Sequence, residues 1–202
     1  MICVSLSFDD GFLIHYDYAR LLYRLGIPGT FFLITGLDNY DGEKLIINRS
    51  DLVKEIIDMG HEIGSHTHTH RDLTKLSTQE IESEFKISTE VLKRYIDYDL
   101  GLAYPYGSFN EEIIKIASKY FIYGRTMGDF NKWNKIPNKY VLGGFGARHL
   151  IKLPIKILSD IKLINIVFHK ESLLLLRLVI EYLEMFKVKF VALREGLKCL
   201  GL

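Results

Sequence analysis

The sequence has few cysteines, few prolines and almost no net charge, and each shortage excludes a class of protein. The two cysteines, Cys3 and Cys199, form no metal-binding or disulfide-scaffold spacing, so we predict free, buried thiols, with a terminal disulfide as the alternative. Four prolines and no low-complexity tract leave no linker, which favours one domain over residues 1–202. A formal charge of +1 lacks the basic surface of a protein that binds nucleic acid through its phosphates.

Long apolar segments are also missing. The apolar stretch from Leu173 to Ile180 is interrupted by Arg177 and falls short of the roughly 18 residues that a membrane-spanning helix needs. The first residues, MICVSLSFDDG, show no basic segment followed by an apolar one. We therefore predict no transmembrane segment and a cytoplasmic location. A membrane-surface role for the Leu-rich segment is an alternative, although packing on a sheet accounts for a broad apolar face.

Apolar strands alternate with amphipathic helices along the chain. Strands are predicted at 2–8, 30–34, 61–65, 102–104, 121–124, 163–168 and 188–193, and helices at 16–25, 50–59, 77–95, 110–119, 171–186 and 195–200. The glycines within 127–160 indicate a loop or a bulged strand. This alternation predicts an α/β fold of mostly parallel strands, closed into a distorted (β/α) barrel rather than left as an open sheet.

Acidic and histidine side chains follow several predicted strands directly. Asp9 and Asp10 follow the first strand, His66 to His70 the third, and His169 the sixth. Because the carboxyl ends of parallel strands meet at one edge, we expect these residues to converge where such folds bind ligands. Polar residues also follow strands because loops are polar, but loops favour Gly, Asn and Ser over Asp and His.

The spacing of His66 and His70 restricts how both can bind one metal ion. Four residues span about 13 Å on a strand but about 6 Å over a helical turn, so the chain has to curl after His66, with His68 directed elsewhere. Histidines at this spacing also occur on solvated helix faces. Two histidines and a nearby carboxylate, in contrast, are typical of catalytic divalent-metal sites with one open position.

Adjacent Asp9 and Asp10 would point to opposite faces of a continuing strand, but Gly11 permits a turn that directs both to one point. One carboxylate can then bind metal while the other accepts a proton from water. A turn that only caps the next helix is the alternative. His169 is a candidate proton donor for a leaving group, or a core histidine bonded to backbone.

These motifs together resemble the polysaccharide deacetylase family, the NodB-like domain of carbohydrate esterase family 4. Ser7-Phe8-Asp9-Asp10-Gly11 is similar to the TFDDG motif, and the stretch from Gly60 to Thr74 resembles the H(S/T)xxH motif with its flanks. Tyr104-Pro105-Tyr106-Gly107 matches the third motif in its Pro-Tyr-Gly part, and Val167-Phe168-His169 resembles the late LxH motif. The resemblance runs from about residue 5 to residue 195, with the motifs in the family's order.

The resemblance implies a divalent metal, usually zinc, held by three side chains: Asp10, His66 and His70. It implies Asp9 as the general base, His169 as the acid, and the backbone N–H of Tyr106, after Pro105, as a donor to the oxyanion. The implied reaction hydrolyses an N-acetyl group of an amino-sugar-containing saccharide and releases acetate. Thr67 is expected to support the histidine loop, and Val167 to line the pocket for the acetyl methyl.

The chain departs from the family pattern in two motifs. Ala103 stands where many members have an arginine that pairs with the catalytic aspartate. We predict that Arg125 supplies this charge, with Arg148 as a weaker candidate. In the fourth motif only Asp129 and Trp133 are matches, and Trp133 is either a platform for sugar stacking or a packing residue.

Two other functions are compatible with these residues. The same site can deacylate another substrate, such as an O-acetyl ester, a formamide or a small acylated amine. A non-catalytic carbohydrate-binding module on the same fold is the other alternative, but it would need neither Asp9 nor His169. A cytoplasmic enzyme would meet a sugar nucleotide, a lipid-linked saccharide or a short oligosaccharide.

Overall fold

A computed structural model describes residues 2–128, 138–148 and 162–202, and shows a curled sheet in which every strand pairing is parallel. Its strands are β1 (Cys3–Phe8), β2 (Thr30–Leu33), β5 (Glu62–Ser65), β6 (Gly101–Ala103), β7 (Tyr123–Arg125), β8 (Phe145–Gly146), β9 (Leu163–Phe168) and β10 (Lys189–Phe190). The order is β7-β6-β5-β2-β1-β9-β8, with β10 beside the first half of β1. A separate antiparallel hairpin joins β3 (Asn39–Tyr40) to β4 (Glu43–Lys44).

Six α-helices accompany the sheet in the described part of the chain. They are α1 (Ile14–Arg24), α2 (Ser50–Asp58), α3 (Thr78–Leu92), α4 (Glu111–Ala117), α5 (Leu173–Glu184) and α6 (Leu193–Leu200). The capping box predicted from Ser77 and Glu80 forms at the start of α3, and the Asn110 side chain caps α4. None of the helices that the structure describes is long and apolar enough to cross a membrane.

Residues 139–146 connect the two edges of the curled sheet. Leu142 pairs with Arg125 on β7, whereas Phe145 pairs with Ile166 on β9. The segment therefore bridges the gap that an open sheet would leave, and the predicted distorted barrel of mostly parallel strands is confirmed.

Both faces of β1 are buried. Its alternating sequence therefore places apolar side chains on one buried face and small polar side chains on the other. Val4, Leu6 and Phe8 belong to the main hydrophobic core. Ser5 and Ser7 are equally buried, and Ser7 Oγ donates to Asn165 Oδ1 at 2.6 Å. A strand buried on both faces is expected in a parallel α/β barrel, and its small polar residues face the barrel interior.

Cys3 and Cys199 form a disulfide whose Cα atoms lie 6.5 Å apart, so the prediction of free thiols is wrong. The sequence separation of 196 residues concealed the contact, because α6 returns to pack on β1, where Cys3 begins the strand. The bond ties the start of the central strand to the last helix.

Candidate active site

The turn after β1 brings two acidic side chains to one place. Asp9 N–H still donates to the Phe168 carbonyl at 2.9 Å, in continuation of the pairing of β1 with β9. Asp10 and Gly11 then adopt left-handed backbone conformations, with φ of 74° and 81°. Both carboxylates are buried and line the same cleft, as the sequence predicts from the glycine at this position.

The segment after β5 curls as the spacing of the two histidines requires. Thr67 and His70 have positive φ values of 65° and 56°, and Thr67 Oγ1 accepts a hydrogen bond from His70 N–H at 3.1 Å. The Thr67 N–H in turn donates to Ser65 Oγ at 3.1 Å. His68 points away from the cleft, with Nδ1 at 3.1 Å from Thr35 Oγ1.

A buried acidic residue on α3 stabilises this curl through hydrogen bonds. Glu84 Oε2 accepts the backbone N–H groups of His68 and Thr69 at 2.9 and 2.8 Å, and its Oε1 accepts from the Thr69 hydroxyl. The sequence does not single out Glu84, because one glutamate on an amphipathic helix carries no sign that it caps a distant loop.

The three predicted metal ligands meet in the cleft. Asp10 Oδ1 lies 3.4 Å from His66 Nε2 and 3.3 Å from His70 Nε2, and the two Nε2 atoms are 3.2 Å apart. Two ligands bound tetrahedrally to one ion at about 2.0–2.1 Å stand about 3.4 Å apart. The group therefore fits a single divalent cation.

The surroundings of the two imidazoles favour different protonation states. His66 Nδ1 donates to the Ala103 carbonyl at 2.8 Å, which leaves Nε2 directed at the Asp10 carboxylate. Burial opposes protonation of His66 most strongly, but the hydrogen bond to Asp10 and the attraction of Asp9 and Asp10 outweigh it and raise the pKa of His66, so a cation that binds there has to displace a proton. Burial, assisted by repulsion from His66, lowers the pKa of His70 to about 4. A neutral imidazole is the form that binds a metal.

Asp9 lies beside this group and is paired with Arg125. The Arg125 Nη2 donates to Asp9 Oδ1, and the arginine side chain is completely buried. Its strand position explains the contact, because Arg125 on β7 is the register partner of Ala103 on β6. The guanidinium thus approaches from the strand next to the one that carries the arginine in many family members.

The charge around Asp9 favours its ionised form. Burial opposes ionisation most strongly, but attraction to Arg125, His66 and His169, with the Arg125 hydrogen bond, outweighs it and lowers the pKa of Asp9. His169 Nε2 lies 3.7 Å from Asp9 Oδ2 and keeps 44% of its side chain exposed. A buried carboxylate held ionised beside an accessible imidazole is suited to proton transfer.

The loop that carries His169 is anchored to α1 by residues that the sequence does not single out. His15 Nε2 lies 2.7 Å from the His169 carbonyl and donates to it. Tyr18 donates to the Glu171 carbonyl, and Glu171 Oε2 accepts the His169 N–H at 2.6 Å. Burial lowers the pKa of His15 to about 4, so its role here is that of a neutral donor.

The other residues predicted for the site have different surroundings from Asp9 and the Asp-His-His group. The Arg148 side chain is 78% exposed and contacts Glu171 at 3.4 Å, not Asp9. Val167 is fully buried and is not one of the described residues that line the cleft. Pro105 is buried at the start of its turn. Asp129 and Trp133 lie outside the described residues.

Aromatic rings form one wall of the cleft, which has a volume of about 460 Å³. The Tyr106 and Tyr40 ring centroids lie 4.8 and 4.5 Å from that of His70, and their hydroxyls are 3.5 Å apart. Tyr40 belongs to the β3–β4 hairpin, whose turn residues Asp41 and Gly42 both have positive φ. The Asp-Gly pair is a hairpin signal that could have located this wall in the sequence.

Truncation of Glu84 is expected to weaken metal binding without removing a ligand. Glu84→Ala leaves two part-buried N–H groups of the histidine loop without their acceptor, so zinc affinity should fall by about 10–100-fold, as for other groups that orient ligands. Glu84→Gln retains acceptor oxygen and should recover most of the affinity. Calorimetric titration with zinc measures both.

Glu82→Ala is the matched control for this prediction, because Glu82 lies on the same helix and pairs with Lys119 at the surface. Its affinity should equal that of the wild type. Equal affinities for Glu84→Ala and Glu82→Ala would contradict the supporting role of Glu84.

Fold and site together define the class of protein: a (β/α) barrel with an Asp-His-His group beside a buried Asp-Arg pair. A family model described as polysaccharide deacetylase matches residues 2–123. The chain belongs to the polysaccharide deacetylase family, as its motifs indicated.

Curated relatives are similar over somewhat more than half of the chain. A chitin deacetylase of Arthroderma benhamiae is 32% identical over 122 residues, which is 57% of this chain and 31% of the relative. A peptidoglycan-N-acetylglucosamine deacetylase of Bacillus cereus is 31% identical over 120 residues, with 57% and 40% covered. The chain thus spans less than half the length of these relatives.

Solved structures show the same fold at lower identity. The Xyl-CE4 domain of a multidomain xylanase from the hindgut metagenome of Trinervitermes trinervoides has a TM-score of 0.72 and 23% identity, with 100% of this chain and 92% of that one covered. A CE4 family pseudoenzyme from Bacillus anthracis has a TM-score of 0.67 and 19% identity, with 93% and 62% covered. One of these neighbours is a pseudoenzyme, so the shared fold alone does not establish activity.

Proposed function

We propose that the protein is a metal-dependent hydrolase that removes N-acetyl groups from an amino-sugar-containing saccharide and releases acetate. The observation that supports this most strongly is the convergence of Asp10, His66 and His70 within one cleft, next to an Asp9 that is paired with Arg125. A binding module would need a cleft and an aromatic wall, but not a buried carboxylate beside a partly exposed histidine. The relatives named above as chitin and peptidoglycan deacetylases support the substrate class.

The residues of the cleft have separate roles in the proposed reaction. A divalent cation such as zinc, held by Asp10, His66 and His70, would supply Lewis-acid polarisation of the reacting groups. Asp9 accepts a proton from the attacking water, whose oxygen bonds to the acetyl carbon. The Tyr106 backbone N–H stabilises the negative charge on the carbonyl oxygen. His169 donates a proton to the nitrogen as the carbon–nitrogen bond breaks, so that amine and acetate leave.

The direct test is acetate release from N-acetylglucosamine oligomers by the zinc-loaded protein, with zinc content measured in each variant. The wild type should release acetate. Asp9→Asn should keep zinc and lose activity, whereas His66→Ala should lose both. A folded, zinc-loaded wild type that releases no acetate from these oligomers would reject them as substrates, and O-acetylated and N-formylated sugars in the same assay would test the other acyl groups.

Tyr40 is expected to contribute to saccharide binding rather than to chemistry. Its ring forms the wall beside His70, so Tyr40→Ala should raise KM for the oligomers by about 3–10-fold with kcat little changed, since aromatic contacts contribute about 0.5–1.5 kcal/mol. Tyr40→Phe keeps the ring and should behave like the wild type. Steady-state kinetics at varied oligomer concentration distinguish these effects. A loss confined to kcat in Tyr40→Ala would contradict a binding role.

The Cys3–Cys199 disulfide bears on the cellular compartment in which the protein works. The sequence predicts a cytoplasmic location, which stays a prediction. Disulfides persist mainly in oxidising compartments, so the Cys3–Cys199 bond favours an oxidising environment instead.

A further inference from the structure

The β3–β4 hairpin is fixed to the rim of the cleft at its base. On the incoming side, the Gly36 N–H donates to the His68 carbonyl in the histidine loop at 2.7 Å. On the outgoing side, the N–H of the buried Ile46 donates to the Gly11 carbonyl at 2.7 Å, in the turn after β1. The two loops that carry the Asp-His-His group therefore also set the position of the hairpin.

The tip of the hairpin contacts both sides of the cleft. Toward β6, the Tyr40 hydroxyl lies 3.5 Å from that of Tyr106. Toward β9, Lys170 Nζ donates to the Asp41 carbonyl at 3.1 Å and to Asp41 Oδ2 at 2.5 Å, and it lies 5.0 Å from the centre of the Phe12 ring. Tyr40, Asp41 and Lys170 all line the cleft, and we call these three residues the cleft strap.

The cleft strap closes more than half of the rim. It extends from the turn after β6, over the loops after β5, β2 and β1, to the loop after β9. These five strands are consecutive in the order β7-β6-β5-β2-β1-β9-β8. A straight path across the cleft therefore meets the strap at one end.

This closure restricts which sugar of a chain can reach the Asp-His-His group. An internal sugar of a linear saccharide has a neighbour on each side, so its groove has to be open in two opposite directions. A terminal sugar has one neighbour and needs one opening. The cleft volume of about 460 Å³ also lies in the lower part of the range of about 300–1,000 Å³ for pockets that bind small molecules.

We infer that the protein deacetylates a terminal sugar of its saccharide and leaves internal sugars acetylated. This specificity rests on the proposed function and adds the position of the reacting sugar. The cleft strap is its structural basis, because it blocks the direction in which the chain would have to continue beyond the reacting sugar.

The cleft strap also offers groups that recognise a chain end. The Lys170 ammonium has three hydrogens, and two of them are directed at Asp41, whose described contacts use its carbonyl oxygen and Oδ2. The remaining N–H and Asp41 Oδ1 are thus left for a ligand. The two side chains are 35% and 68% exposed, so a sugar hydroxyl can approach both. A terminal sugar carries such a hydroxyl where an internal sugar has a glycosidic bond.

Mass spectrometry of partly deacetylated oligomers tests this specificity. The zinc-loaded wild type should release one acetate per chain from the trimer, the tetramer and the pentamer of N-acetylglucosamine alike. With heavy oxygen at the reducing end, fragmentation should locate the free amine at the same terminal sugar in each oligomer. Free amines on internal sugars would overturn the inference but support the proposed function. No acetate release from any oligomer would count against the proposed function, and the inference would fall with it.

Removal of the hairpin side chains of the strap should admit internal sugars. Tyr40→Ala combined with Asp41→Gly takes away the tyrosine ring and the carboxylate contact to Lys170, while glycine suits the φ of 47° at position 41. The fraction of free amines on internal sugars should rise by about 10-fold or more, because one group in a substrate pocket already changes selectivity by about 10–200-fold. Product positions define this fraction, so a higher KM from loss of the Tyr40 ring does not affect it.

Glu43→Ala is the matched control, because Glu43 is an exposed residue of the same hairpin and is not one of the described residues that line the cleft. Its products should carry the amine at the terminal sugar, as in the wild type. Circular dichroism should be the same for the wild type and both variants. A folded Tyr40→Ala, Asp41→Gly variant that still deacetylates only the terminal sugar would overturn the assignment of this specificity to the strap.

Discussion

Replacement of Arg125 by Met is expected to lower kcat/KM for acetate release by about 10²–10³-fold and to destabilise the fold by about 3–5 kcal/mol. Arg125 is fully buried and its guanidinium donates to Asp9. Without it, burial of Asp9 is opposed only by weaker attraction from histidines, so the pKa of Asp9 should rise. A carboxylate that is protonated, or turned away from the cleft, no longer accepts a proton from water.

The pH dependence of this variant has a defined sign. Asp9 acts as a base only when ionised, so the acid limb of the kcat/KM profile should move to higher pH in Arg125→Met. The lowered pKa of Asp9 in the folded wild type stabilises the fold above the ordinary pKa of an aspartate, and this contribution is lost as pH falls through the lowered value. The stability difference between wild type and variant should therefore be largest near neutral pH and shrink in acid.

A double variant separates activity from stability. Asp9→Asn combined with Arg125→Met removes both charges, so it should recover much of the lost stability while it stays inactive. Arg148→Met is the control, since that arginine is exposed and contacts Glu171. Urea unfolding and acetate release are the two readouts. A folded Arg125→Met with wild-type activity would refute the pairing as a requirement for catalysis.

The sequence was informative about the site where one short motif sets the local backbone. Gly11 permits the turn at Asp10, and Thr67 accepts from the His70 N–H within the histidine loop. Arg125 was predictable for a different reason, because it ends a strand and the barrel brings strand ends together. The sequence did not show that Ala103 and Arg125 are register partners, which is a property of the sheet.

Residues that support the site through contacts distant in sequence leave no such motif in the sequence. Glu84 bonds to backbone 15 and 16 residues away, and His15 bonds to a carbonyl 154 residues away. Each is one polar residue on the buried side of an amphipathic helix, where the sequence shows only an interruption of the apolar pattern. Tyr40 was missed although its hairpin carries a turn signal, because strands of two residues are too short to show periodicity.

The fold shows the same contrast between features set by a local pattern and features set by distant contacts. Helices and strands with several turns or full alternation were predicted close to their observed bounds, as for β9 at Leu163–Phe168. Residues 139–146 close the sheet through pairings of one or two residues, at Leu142 and at Phe145. Such pairings depend on the final curvature of the sheet, which a local pattern does not contain.

Reduction of the Cys3–Cys199 disulfide is expected to lower the free energy of unfolding by about 2–5 kcal/mol. The bond closes a loop with a sequence separation of 196, and loop-closure entropy gives about 4.7 kcal/mol already for 100 residues. For a domain of this size the melting temperature should fall by about 4–20 °C. Thermal unfolding with and without reductant measures the shift.

Variants of the two cysteines establish whether this shift comes from the bond itself. Cys3→Ala, Cys199→Ala and the double variant should lose similar amounts of stability, because each breaks the same cross-link, and reductant should not affect them further. Acetate release below the melting temperature should stay near that of the wild type, since Cys3 lies at the amino end of β1 and the cleft at its carboxyl end. If reductant did not change the melting temperature of the wild type, the bond would not form in solution.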